Sequence, residues 1–204
     1  MAERQRGQLI VLSGPSGTGK STVIAQLLRT RPDIYFSVSF TTRKPRTGEV
    51  DGVNYNFVDR ETFEAMIGRG EFLEYAQYVG NYYGTSLKVI EEKRDAGIDV
   101  LLDIEVQGAA KVRSKCPDAV MIFLLPPSFE ELSCRLHGRG TDSEEVIAGR
   151  LQKAREECRE VTHYDFLVIN DTVDRAVDQI TAILVAQSCR TIYKKDILDQ
   201  MEGV

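Results

Sequence analysis

The 204-residue chain has no tryptophan and only two histidines, His137 and His163. Its four cysteines, at 116, 134, 158 and 189, form no C-x-x-C pair, and the histidines complete no zinc spacing. A zinc-organised domain is therefore excluded, and reduced thiols are expected. No apolar run approaches the roughly 20 residues that cross a bilayer. Residues 1–8 are polar, and the apolar stretch after them is too short for a signal peptide. A cytoplasmic protein with no membrane partner is expected. A basic excess is missing too: 26 Lys and Arg against 31 Asp and Glu leave a formal charge of −5. That argues against a general nucleic-acid binder, and any anion site must be built locally, against the net charge. There is no internal repeat or low-complexity tract. Apolar content of 42% and charged content of 28% suit one compact domain of this length.

What is present is concentrated first at residues 14–22, which read G-P-S-G-T-G-K-S-T directly after Leu9, Ile10, Val11 and Leu12. Gly14, Pro15, Ser16, Gly17, Thr18, Gly19, Lys20 and Ser21 fill the P-loop pattern G-x-x-x-x-G-K-[ST], with Thr22 next to it. A short buried strand precedes it and a helical pattern follows, as that motif requires. The glycines let successive N–H groups turn toward one phosphate chain, and the helix N-terminus adds partial positive charge. Lys20 supplies a point charge for the β- and γ-phosphates, and Ser21 a hydroxyl for Mg²⁺.

Apolar runs alternate with helical patterns along the rest of the chain. Strands are expected at 8–13, 34–40, 99–104, 119–125 and 165–169. Helices are expected at 20–30, 60–68, 86–95, 106–114, 128–136, 143–161 and 172–187, with Ser128 capping one of them. The continuous apolar strands suit a parallel sheet covered on both faces, so the expected class is α/β with a doubly wound core. Residues 41–84 break the alternation and read as a small mixed insertion with short strands. The stretch 192–204 is amphipathic, and reads either as an oligomer contact or as a frayed tail.

Other constellations fit a phosphoryl-transfer site. Asp103 ends an apolar strand, where open α/β sheets place their ligands, and can hold Mg²⁺ through water. Glu105, two residues on, points the same way on an extended chain and is available to a second substrate. Arg43, Lys44 and Arg46 place three cations within four residues. Arginine grips phosphate bidentately, so this cluster suits a second phosphorylated substrate. Tyr55, Tyr75, Tyr78, Tyr82 and Tyr83 cluster downstream. The glycines flanking 81–83 suggest an exposed loop with hydroxyl donors. Arg135, Arg139 and Arg150 surround Gly138 and Gly140, a composition that suits a moving lid over the transferring phosphate.

Taken in order, these stretches closely resemble guanylate kinase, the nucleoside monophosphate kinase that makes GDP from GMP and ATP. The resemblance runs from residue 9 to about 184. It is carried by the P-loop, S-V-S-F-T-T-R-K-P-R-T-G-E-V-D-G-V-N-Y, E-F-L-E-Y-A, G-N-Y-Y-G-T, L-L-D-I-E-V-Q-G-A, G-R-G-T-D-S-E-E and V-I-N-D. It implies a P-loop kinase core (1–38, 89–134 and 151–204), a GMP-binding insertion at 39–88 and a short lid at 135–150. It implies that Arg43, Arg46, Tyr55 and Tyr83 clamp the GMP phosphate. Ser39, Glu74 and Thr85, joined by Glu105, would read guanine. Lys20, Arg46, Arg139 and Arg150 would neutralise the moving phosphate, and Arg135 and Asn170 would lie on the ATP side. Mg²⁺ would accompany ATP through Ser21 and Asp103. Glu105 stands where the family usually has Asp, which moves that carboxylate by about one methylene. The tail resembles that of bacterial members, which often self-associate, so a homo-oligomer is a further expectation.

Two other readings share parts of the pattern. One is a non-catalytic guanylate-kinase-like module that binds phosphorylated partners. Such modules typically lack an intact P-loop. The other is a P-loop kinase for another small phosphorylated acceptor, against which residues 39–55 with Glu74 and Thr85 argue.

Overall fold

The computed structural model of the chain describes residues 6–78, 80–138, 143–191 and 201. In chain order the first elements are β1 (Leu9–Ser13), α1 (Lys20–Thr30), β2 (Tyr35–Phe36), β3 (Phe40–Thr41), β4 (Asn56–Phe57) and α2 (Arg60–Gly68). There follow β5 (Phe72–Tyr78), β6 (Asn81–Ser86), α3 (Leu87–Asp95), β7 (Val100–Asp103) and α4 (Val106–Lys115). The last are β8 (Val120–Leu125), α5 (Phe129–His137), α6 (Glu144–Arg159), a 3₁₀ turn (Glu160–His163), β9 (Phe166–Ile169) and α7 (Val173–Ser188).

Caps fix several of the helix starts. Asp59 accepts from the Thr62 amide, Ser128 from Glu131, Ser143 from Val146 and Thr172 from Arg175, each satisfying an amide that the helix itself leaves unpaired. Ser128 thus caps α5 as its sequence position implies.

The core sheet has the order β2-β7-β1-β8-β9, and every pairing in it is parallel. Successive side chains of β1 point to opposite faces. Ile10 and Leu12 join the cluster under α1 and α7, while Leu9 and Val11 join the one under α3 and α4. A strand apolar on both faces is the signature of a doubly covered parallel sheet, and β1 is buried along its whole length. Among the described residues no helix is long and apolar enough to cross a membrane.

A second, mixed sheet has the order β4-β3-β6-β5. Helix α2 closes one side of it: Phe63 stacks on Phe72 at 4.4 Å and on Tyr82 at 5.2 Å between ring centroids.

Three expectations are corrected here. Residues 34–40 are not one strand but two short ones, β2 and β3, in different sheets. The Ser37 amide still bonds the Leu101 carbonyl of the core at 3.0 Å, but the Val38 carbonyl accepts from the Asn56 side chain at 2.9 Å and draws the chain into the second sheet. The tyrosine segment beginning at Asn81 is not an exposed loop but β6. Gly84 is buried there because a Cβ would sit 2.9 Å from the Phe63 ring and 3.0 Å from Phe72, so its glycine serves packing rather than exposure. The expected helix 143–161 ends as an α-helix at Arg159 and tightens into the 3₁₀ turn. The tail expectation falls almost wholly on residues 192–200 and 202–204, outside the described residues.

Candidate functional site

The P-loop joins β1 to α1 at the C-terminal edge of the core sheet. Gly14, at φ 148°, is pressed against β8, where a Cβ would lie 2.2 Å from the Leu124 carbonyl oxygen. Gly19, at φ 90°, precedes α1 in the left-handed region, which a side chain would strain. Helix α1 has no side-chain cap and no acidic residue in its first turn, so its positive end is left for an external anion. Lys20 Nζ donates to the Gly14 carbonyl at 2.5 Å, which folds the ammonium back over the loop. Ser16, Ser21 and Thr22 are exposed, while Gly14, Pro15 and Thr18 are buried. The Thr18 hydroxyl ties the loop to the Pro15 carbonyl at 3.0 Å.

Two distant parts of the chain converge on Thr18. Asn170, 3% exposed at the end of β9, donates Nδ2–H to the Thr18 carbonyl at 2.7 Å. Arg135 on α5 donates to that carbonyl at 3.3 Å and to the Asn170 carbonyl at 3.0 Å, while Glu131 holds its Nε at 2.7 Å. The sequence singled out Arg135 and Asn170 for the ATP side, and the fold brings both to the P-loop backbone. Arg150 is half-buried on α6, and Arg139 lies outside the described residues.

Asp103 ends β7 directly beside Leu12 of β1. Burial pushes its carboxyl up, Lys20 pulls it down and Glu105 raises it again. Glu105 forms the N-cap position of α4 and is met from α6 by Lys153, whose Nζ donates to its Oε2 at 3.1 Å. Lys153 also reaches Glu157 at 3.4 Å.

The mixed sheet contributes a second constellation. Glu74 and Thr85 are register partners across β5 and β6. Both are buried, and the Thr85 hydroxyl donates to Glu74 Oε1 at 2.6 Å. Burial raises the Glu74 carboxyl, opposed by the Thr85 hydrogen bond and by Lys111 and Lys115. Arg43 forks onto Glu49 with bonds of 2.8 and 2.9 Å, and its guanidinium lies 5.4 Å from the Tyr55 ring centroid. Tyr55 and Tyr83 meet edge to face at 5.9 Å. The Tyr55 hydroxyl is raised first by burial and next by the charge of Asp103 at the end of β7. Ser39 is half-buried, and its carbonyl accepts from the Asn56 amide at 2.9 Å. The Arg46 side chain is exposed.

Glu49 was missed by sequence reasoning. Its carboxylate, held down to about 2 by Arg43 and by the Arg46 amide, ties the Arg43 side chain to the backbone at Arg46. An acid three residues past Arg46, after a glycine that supplies positive φ, was the available signal.

Comparison with known proteins adds an independent line. The family model described as guanylate kinase matches residues 6–187. The guanylate kinase of Halalkalibacterium halodurans is 55% identical over 188 residues, covering 92% of both chains. That of Desulfitobacterium hafniense is 52% identical over 192 residues, 94% of this chain and 96% of the relative. Among solved structures, the guanylate kinase of Anaplasma phagocytophilum superposes with a TM-score of 0.77 at 36% identity, covering 92% of this chain and 89% of the other.

Proposed function

The chain belongs to the guanylate kinase family and is an ATP:GMP phosphotransferase, and we propose that it works through the two facing constellations just described. The P-loop holds the ATP phosphates, with the adenosine side toward Arg135 and Asn170. Arg43, Arg46, Tyr55 and Tyr83 hold the GMP phosphate. Ser39, Glu74, Thr85 and Glu105 read guanine. Residues 39–88 act as the acceptor-binding unit and 135–150 as a lid that brings Arg139 and Arg150 to the moving phosphate.

The observation that carries this reading is the buried Glu74–Thr85 pair. Guanine presents N1–H and an N2 amino group as donors, which a carboxylate accepts. It presents O6 as an acceptor. The Thr85 hydroxyl donates to Glu74, so its own lone pairs remain for the amino group, and the Ser39 hydroxyl is left to donate to O6. Adenine shows the reverse pattern on that edge and leaves a buried carboxylate unpaired, a costly mismatch. dGMP carries the same guanine edge and the same phosphate as GMP, so it is a further acceptor in this reading. The product GDP places the enzyme in purine nucleotide metabolism.

Phosphoryl transfer asks the protein mainly for positioning and charge. The attacking oxygen belongs to the GMP phosphate and is already ionised, so the reaction calls for no strong general base. Lys20, Arg46, Arg139 and Arg150 neutralise charge on the transferring group.

The donor set fits Mg²⁺: a serine hydroxyl at the start of α1, and a strand-end carboxylate that keeps a cation, Lys20, in its field. Among the described residues no group of three or more His, Cys, Asp or Glu could hold a metal, which suits an ion carried mostly by phosphates and water. Ser21 and Asp103 would hold it, and it would supply charge neutralisation at the phosphates. Four free cysteines support a reducing, cytoplasmic setting.

Calorimetric titration of the purified chain with ATP and Mg²⁺ is expected to give one site per chain, weakened when a chelator removes the metal. Normal GMP binding with no ATP binding would instead favour the non-catalytic module.

A further inference from the structure

Gly108 is the third residue of α4. Glycine inside a helix is unfavourable relative to alanine, and Gly108 is not among the residues of positive φ, so no turn requires it. What it faces is Glu74. A Cβ at position 108 would lie 2.7 Å from Glu74 Oε2, 3.2 Å from the carboxyl carbon and 3.7 Å from Cγ, its three nearest neighbours. The carboxylate has little room to retreat. Glu74 is 6% exposed, its Oε1 is bound by the Thr85 hydroxyl, and its backbone is registered against Thr85 in the ladder.

The same helix holds the strand that carries Glu74. Lys111 Nζ donates to the Tyr75 carbonyl, and Lys115 Nζ donates to the Leu73 carbonyl at 2.5 Å. These are the residues on either side of Glu74. The two ammonium groups also favour its ionised form against the cost of burial. At its start the helix carries Glu105, the other carboxylate assigned to guanine. One helix therefore presents Glu105, leaves the space that Glu74 fills, and ties down the backbone on both sides of it.

We propose that Gly108 is a specificity-determining positioning residue, whose missing side chain seats the Glu74 carboxylate against α4 so that it meets guanine together with Glu105. This rests on the guanine-reading role of Glu74 proposed above. A methyl group at 108 displaces the carboxylate by the overlap it creates, and misplacement by a fraction of an ångström is felt in a site that recognises its ligand by hydrogen bonds.

The test is steady-state kinetics of Gly108→Ala and Glu74→Asp, singly and together, with thermal melting of each. Gly108→Ala is expected to raise KM for GMP roughly 10- to 100-fold. Its kcat at saturating GMP and its KM for ATP should stay within about twofold, a split that a general loss of structure would not produce. Glu74→Asp shortens the side chain by one methylene and leaves room for the methyl. In that background Gly108→Ala is expected to cost less than about threefold in the GMP KM, so the two effects do not multiply. Should Gly108→Ala alone not fold, the double variant compared with Glu74→Asp carries the same test. An equal fold-cost in both backgrounds overturns the proposal, as does an unchanged GMP KM in folded Gly108→Ala. Either result leaves the guanine-reading role standing, because that role is tested separately by Glu74→Gln.

Discussion

Lys20→Ala is expected to lower kcat/KM by about three orders of magnitude, or about 4 kcal/mol of transition-state stabilisation, while the chain keeps its fold. The size follows from where the ammonium sits. It is folded over the P-loop onto the Gly14 carbonyl and lies in the field of Asp103, at the point where the triphosphate must pass. Charge grows on the transferring phosphoryl group, and a fixed cation there stabilises the transition state more than the ground state. The fold survives because the core beneath the loop does not use this side chain. Leu9, Ile10, Val11 and Leu12 are buried in apolar clusters to which Lys20 does not belong. Circular dichroism and a melting curve check the fold, and a coupled ADP assay reads the rate. Turnover near that of the unaltered protein would remove the P-loop lysine from the chemistry.

Glu74→Gln is expected to cut kcat/KM for GMP by roughly 10²- to 10³-fold while KM for ATP changes by less than about twofold. The carboxamide keeps the shape and an oxygen for the Thr85 hydroxyl, but it turns an N–H donor toward guanine donors. The stability change has the opposite sign. Burial holds the folded-state pKa of Glu74 above its unfolded value, so the folded protein binds that proton more tightly than the unfolded chain does. The favourable contribution is full below the unfolded pKa and is lost as pH rises through the folded one, leaving a net cost near neutrality. Glutamine carries no such cost, and the variant should melt at the same or a higher temperature at pH 7. Specificity for guanine is thus held at some expense of stability. Equal losses for GMP and ATP would argue against a guanine-reading role.

Much of the core was legible because its physics is local. A P-loop must follow a buried strand and open a helix, and the apolar runs of β1, β7 and β8 mark strands buried in a parallel sheet, whereas the equally apolar run of β9 forms an edge strand that leaves Leu167 and Ile169 exposed. The break between β2 and β3 was not legible. Tyr35, Phe36, Val38 and Phe40 all favour extended backbone, and nothing in them marks the point where the chain changes sheets, which an asparagine from position 56 decides. The role of Glu49 was hidden for a related reason. In a charged loop an acid reads as solvated surface, and only the fold shows its fork onto Arg43. Glu74 and Thr85 were named through resemblance, but their pairing depends on register across β5 and β6, with an irregularity between Phe72 and Glu74 that no local pattern marks. Gly108 is the extreme case, since its neighbour is 34 positions away in sequence and the information lies in what the glycine omits.

The most direct measurement is ADP production by the purified chain with ATP and Mg²⁺ and, in separate reactions, GMP, dGMP, AMP, CMP, UMP and dTMP. Strong turnover with GMP and dGMP alone is the predicted result, because only guanine offers two donors to the buried Glu74 carboxylate. Comparable turnover with AMP or a pyrimidine nucleotide would contradict the guanine-reading site, and no turnover with any acceptor by folded protein would contradict the phosphotransferase itself.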